Sequence, residues 1–139
     1  MATVVRDKAM GVPLKSLFET IIDFESYPQF LPEVVSAKAT GKGKKVRVDF
    51  ELEVIKRFEY TLEFVISEPT EVKWSLMKSN FFKTNDGLWL LKEIPSGVEA
   101  HYELEVAFGF LVPGWVTKKM TEVSLPTMFD RFEKRAAGK

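Results

Sequence analysis

The 139-residue sequence contains no cysteine and a single histidine, His101. Without thiols, disulfides, thiolate nucleophiles and Cys-ligated zinc are excluded, and one imidazole is too few for a His-rich metal site. No metal and no cofactor is therefore expected. Net charge is also missing: 20 Lys and Arg balance 20 Asp and Glu. A dedicated nucleic-acid binder normally carries a strong basic excess, so nucleic acid is not the expected partner. No uncharged apolar run approaches the ~18–20 residues that span a bilayer. The opening MATVVRDKAM lacks the apolar run of a signal peptide, which leads us to expect a cytoplasmic protein. What the chain does have is apolar mass: 45% of residues are hydrophobic, with 12 Phe, 3 Tyr and 3 Trp. This suffices for a core, and the length suits one domain over residues 1–139.

The charge is unevenly spread. From Asp49 to Glu105 there are 12 acids and 6 bases, whereas Lys38 to Arg47 holds five bases and no acid. Such runs read either as solvated faces or as a basic edge for an anionic membrane or RNA.

Two periodicities divide the chain. Leu14, Leu17, Phe18, Ile21 and Ile22 recur at helical spacing behind Pro13, which suits a first helical turn. A second short helix is expected to begin at Pro28 and to stop before Pro32. From Val34 to Phe108 the period becomes two. Val46, Val48, Phe50, Leu52 and Val54 alternate with charges, and Phe58, Tyr60, Leu62, Phe64 and Ile66 repeat the pattern. The expected register pairs Val54 with Phe58, Leu52 with Tyr60 and Glu53 with Glu59. Val72, Trp74 and Leu76 follow, then Val98, Ala100, Tyr102, Leu104, Val106 and Phe108. Leu88 to Leu91 is apolar on both parities, so its facing is open. Large side chains on one face and charges on the other describe an antiparallel sheet covered on one side. The cover is Trp115 to Ala136, about six helical turns, with Pro126 expected to kink it near Glu122. The fold expected is α+β: a curved antiparallel sheet of about six to seven strands around a long C-terminal helix.

That order resembles the helix-grip superfamily of the birch-pollen allergen and the steroidogenic lipid-transfer domains. The resemblance is strongest to the branch of polyketide cyclases, coenzyme Q-binding proteins and ribosome-association toxins. It rests on DFESYPQFLP at Asp23–Pro32, on Gly87-Leu88-Trp89, and on the ending Phe129-Asp130-Arg131-Phe132-Glu133-Lys134-Arg135-Ala136. Pro126 departs from the family's uninterrupted closing helix. The resemblance implies a cavity between sheet and long helix for lipids, quinones, sterols or polyketides.

The expected ligand-binding residues are Phe50, Tyr60, Leu62, Phe64, Trp74, Trp89 and Tyr102 on the sheet. Phe110, Val116, Met120 and Val123 are expected to close the cavity. Tyr60 and Tyr102 are the polar members of the inward parity. They read either as core hydroxyls bonded internally or as handles for a ketone, quinone or hydroxyl. His101 falls on the charged parity and should face solvent, so no Ser-His-Asp arrangement is available. Gly41-Lys42-Gly43-Lys44 lacks the remainder of a phosphate loop and reads as a hairpin turn. Asp49, Glu51, Glu53, Glu59 and Glu63 share the exterior, where they cannot act as paired acids and bases in a pocket. The charge-free run Val106–Val116 is either a plain connection or a gate of Phe108, Phe110, Leu111 and Trp115. As a gate it could make peripheral membrane contact through Phe108–Val116, with Lys118 and Lys119 near lipid phosphates. Three functions remain: a carrier of a hydrophobic small molecule (lipid, isoprenoid quinone or polyketide-like), a polyketide aromatase/cyclase, and a ribosome-association toxin-like interaction protein. The apolar inward parity favours the carrier, with no catalytic residue assigned.

Overall fold

The structure, a computed structural model, describes residues 2–41, 43–53, 57–109 and 112–138, without the side chains of 2, 121 and 123. Strand β1 (Ala2–Met10) leads into helix α1 (Leu14–Ile22) and a 3₁₀ turn over Phe24–Gln29. Six strands follow: β2 (Val34–Thr40), β3 (Lys45–Glu53), β4 (Arg57–Ser67), β5 (Glu71–Ser79), β6 (Phe82–Ile94) and β7 (Gly97–Phe108). The chain closes with α2 (Gly114–Lys119), a π-helical segment (Met120–Ser124) and α3 (Leu125–Ala137). The strands form one seven-stranded sheet in the order β1-β7-β6-β5-β4-β3-β2, antiparallel throughout. This is the one-sided antiparallel sheet and closing helix that the periodicities lead one to expect, and the helix-grip arrangement that the resemblance implies.

The alternation sorts the sheet's faces. In β3, Val46, Val48, Phe50 and Leu52 are buried while Lys45, Arg47, Asp49 and Glu53 are exposed. The buried face meets α3, whose Phe129 and Phe132 rings lie 5.7 and 5.4 Å from the Trp89 ring. Polar contacts fix α3 on both flanks. Lys8 of β1 bridges Asp130 and Glu133, the Gly11 N–H donates to Glu133, and Arg135 donates to Gln29. In the β2–β3 hairpin, Gly41 and Gly43 have φ of +103° and +74°, a region that disfavours a Cβ. That geometry makes the segment a turn.

Two expectations need correction. The β3–β4 register differs by two residues: Leu52 pairs with Phe58, Phe50 with Tyr60, and Glu53 with Arg57. A two-residue slip preserves which side chains face inward, so hydrophobic alternation cannot detect it. Charge favours the observed register, because Arg57 lies 3.6 Å from Glu51 and 4.0 Å from Glu53. The like-charged pair becomes Glu51 opposite Glu59, with Glu51 also accepting from the Ser36 hydroxyl. The connecting residues 54–56 lie outside the described residues. Second, the short helix does not start at Pro28 but contains it, within the 3₁₀ turn Phe24–Gln29. Tighter 3₁₀ bonding lets Phe24 and Tyr27, three apart, lie on one side with their rings tilted at 5.7 Å and both be buried. The closing helix is irregular around Glu122, where a break is expected, and it takes the form of a widened turn: the Leu125 N–H reaches back to the Met120 carbonyl. Pro126 sits in the first turn of α3, where its missing N–H costs least.

Candidate ligand cavity

A cavity of about 190 Å³ lies between the concave face and the closing helix. Its side walls are built by cross-strand pairs. Phe50 stacks on Tyr60 at 5.1 Å, Phe64 faces Trp74 at 5.9 Å, and Trp89 meets Tyr102 at 4.9 Å. Trp74 is held in place from two sides. Its Nε1 donates to Asn85 Oδ1 at 3.0 Å, and its ring lies over Gly87, where a Cβ would come within 2.5 Å of Cζ2. Gly87 is thus the gap in β6 that admits the indole.

The polar atoms of this wall are few. Tyr27 donates to the Ile21 carbonyl at 2.6 Å and is satisfied. The Tyr60 and Tyr102 hydroxyls make no hydrogen bond to any described residue and border the cavity. Burial pushes both phenols well above their ordinary pKa; for Tyr102 the nearby Tyr60 adds to the effect. Both therefore stay neutral donors, with hydroxyl protons available to an acceptor in the cavity.

Of the expected binding residues, Phe50, Tyr60, Leu62, Phe64, Trp74, Trp89, Tyr102 and Met120 line this space. Val116 does not: it is buried one turn ahead of Met120, off the cavity wall. Phe110 lies outside the described residues, as does the side chain of Val123. Of the expected gate, Phe108 is on the wall, Leu111 lies outside the described residues, and Trp115 is 57% exposed and off the wall. Sequence reading missed Asn85, Tyr27, Glu33 and Arg131. Asn85 shares the parity of Gly87 and Trp89, a signal available once β6 is known to face inward at odd positions. The other three lie in the 3₁₀ turn, the following loop and α3, where no period-two pattern reaches.

Outside the cavity, His101 is clasped by two carboxylates, Asp7 at Nδ1 (2.7 Å) and Glu103 at Nε2 (2.6 Å). Hydrogen bonds to Glu103 first, then Asp7, raise its pKa. Among the described residues no cluster of three or more His, Asp or Glu could hold a metal ion. No helix there is long and apolar enough to cross a membrane.

The sequence pattern of polyketide cyclase/dehydrase and lipid transport proteins matches residues 10–133. The chain belongs to this family. Solved structures with the family's helix-grip fold superpose over almost the full length. The Zhui aromatase/cyclase from Streptomyces sp. R1128 matches with a TM-score of 0.84 at 10% identity, covering 98% of this chain and 93% of that one. A START superfamily protein from Mycobacterium smegmatis gives 0.75 at 18% identity, over 98% and 97% of the two chains. The STAR-related lipid transfer protein from Xanthomonas axonopodis gives 0.81 at 11%, over 97% and 85%. At these identities the likeness is one of fold. Among curated proteins, none matches the chain in sequence. Family members handle hydrophobic small molecules, lipids or polyketides, in keeping with a mostly apolar wall.

Proposed function

We propose that this protein binds and carries a compact hydrophobic molecule whose buried end is a carbonyl, such as a quinone, ketone or polyketide-like ring. The reading rests on one observation: Tyr60 and Tyr102 border an apolar cavity as neutral donors with no protein acceptor among the described residues. Each hydroxyl opens onto the cavity, where a ligand carbonyl can accept its proton in a hydrogen bond worth about 1 kcal/mol. Size narrows the class. The cavity of about 190 Å³ exceeds the ~150 Å³ that admits benzene but falls below the ~300–1,000 Å³ of common ligand sites. One or two fused rings fit as it stands, and a longer tail requires the closing helix to yield. Carriage is favoured over cyclisation because enolising a carbonyl calls for ionisable groups at the reacting atom, whereas the phenols here stay protonated.

The test is titration with a two-ring naphthoquinone, read by quenching of Trp74 and Trp89. Saturable quenching is expected. Tyr60→Phe and Tyr102→Phe should each weaken it about three- to tenfold, the worth of one neutral hydrogen bond. Absence of quenching, or variants that bind as well as the parent protein, would reject the reading.

A further inference from the structure

Among the described residues lining the cavity only two carry charge, Glu33 and Arg131. They stand where the wall meets solvent, with side chains 38% and 35% exposed. Arg131 Nη1 lies 3.6 Å from a Glu33 carboxylate oxygen. That exceeds the ~2.7–3.2 Å of an N–H···O hydrogen bond, so the two are near neighbours without being bonded. The other cations packed along α3 are engaged. Arg135 donates to Gln29 and lies over the Phe30 ring at 5.4 Å, and Lys8 bridges Asp130 and Glu133. Arg131 alone of these brings a guanidinium with five N–H donors to the cavity rim and donates none of them to a described residue.

On the cavity reading above, we infer that Arg131 recognises an oxyanion on the ligand, and that Glu33 competes with it for the guanidinium. The preferred ligand class is then a hydrophobic acid. Its apolar body fills the space between Trp74 and Trp89, any carbonyl meets Tyr60 or Tyr102, and a carboxylate or similar planar oxyanion accepts paired N–H bonds from Arg131. Bidentate pairing of this kind is short and charge-assisted, stronger than the loose contact Glu33 provides. With apolar wall on one side, the attraction is less screened than at an open surface. Glu33 sets the threshold: a neutral ligand leaves the pair as it is, while an acidic one displaces the carboxylate into solvent.

Two naphthalene probes of nearly equal size separate the possibilities: 2-naphthoate, which carries a planar carboxylate, and the uncharged methyl 2-naphthyl ketone. The quantity read is the ratio of their affinities, carboxylate over ketone. Arg131→Gln should lower this ratio on the order of tenfold, the worth of a charged hydrogen bond. Glu33→Gln should raise it about threefold, and rising salt should shrink both effects. If Arg131→Gln fails to fold, the Glu33→Gln ratio still decides. A ratio unmoved by the variants overturns the anion assignment, even with the ketone bound at Tyr60 and Tyr102. If neither probe binds the parent protein, the cavity reading itself fails.

Discussion

Gly87 shows how a missing side chain can shape a wall. A methyl group there would meet the Glu103 carbonyl at 2.4 Å and the Trp74 ring at 2.5 Å. Backbone cannot retreat as a flexible side chain can, so Gly87→Ala should destabilise by about 3 kcal/mol, the upper end for overpacking. Urea unfolding would measure it, and Gly114→Ala is the control. Gly114 opens α2, and a methyl group there would have no neighbour within 4 Å, so that change should be neutral or slightly stabilising. A loss below about 1 kcal/mol at position 87 would mean that Trp74 can turn aside and is not a fixed wall. The individual residues also mark where sequence reading works. Tyr60, Trp74 and Tyr102 were legible as inward because each sits in a strand with alternating polarity. Arg131 and Glu33 were not, since an ionisable residue on a helix flank or loop looks like any solvated charge until the cavity beside it is known.

At the scale of elements, β1 is an edge strand joined to β7 by their ladder and by the Asp7–His101–Glu103 clasp. Only a doubly protonated imidazole can donate to both carboxylates, so the clasp needs the charged form. The folded pKa of His101 lies above its ordinary 6.5. Its contribution to stability is therefore fully present below about pH 6.5 and is lost as pH rises through the raised folded value. Parallel urea titrations of the parent protein and His101→Gln should show a stability difference that narrows over that window. A difference that stays constant, or widens as pH rises, would refute the clasp. Elements also set the limits of legibility. The parity of β3 and β4 was readable, but their register was not, because a slip of two leaves every Phe and Val facing inward. Pro126 announced a break in the closing helix near Glu122, but a missing N–H at that position does not by itself specify the π form that Met120–Ser124 adopts.

For the molecule as a whole, binding and stability are linked. A ligand held only by the folded state stabilises by about 2.7 kcal/mol at a hundred times its Kd. For a chain of this size a naphthoquinone at that excess should raise the melting midpoint by roughly 5–10 °C. Thermal melts at several ligand concentrations would show the midpoint climbing with the logarithm of concentration. A midpoint indifferent to ligand would place the binding elsewhere or in the unfolded chain.

The seam between β1 and β7 governs how the protein can be made. Met10 pairs with Val98 and Ala2 with Val106, partners about ninety to a hundred residues apart in the chain. On a ribosome β1 emerges before the other six strands and has no neighbour until β7 has been synthesised, so the sheet can be completed only once its seventh strand has been made. Late closure across so long a loop predicts slow refolding, in milliseconds to seconds, and a nascent chain that keeps an unpaired strand exposed in the meantime. Arg6, Asp7 and Lys8 punctuate that strand with charge, which guards it against pairing with other chains while it waits.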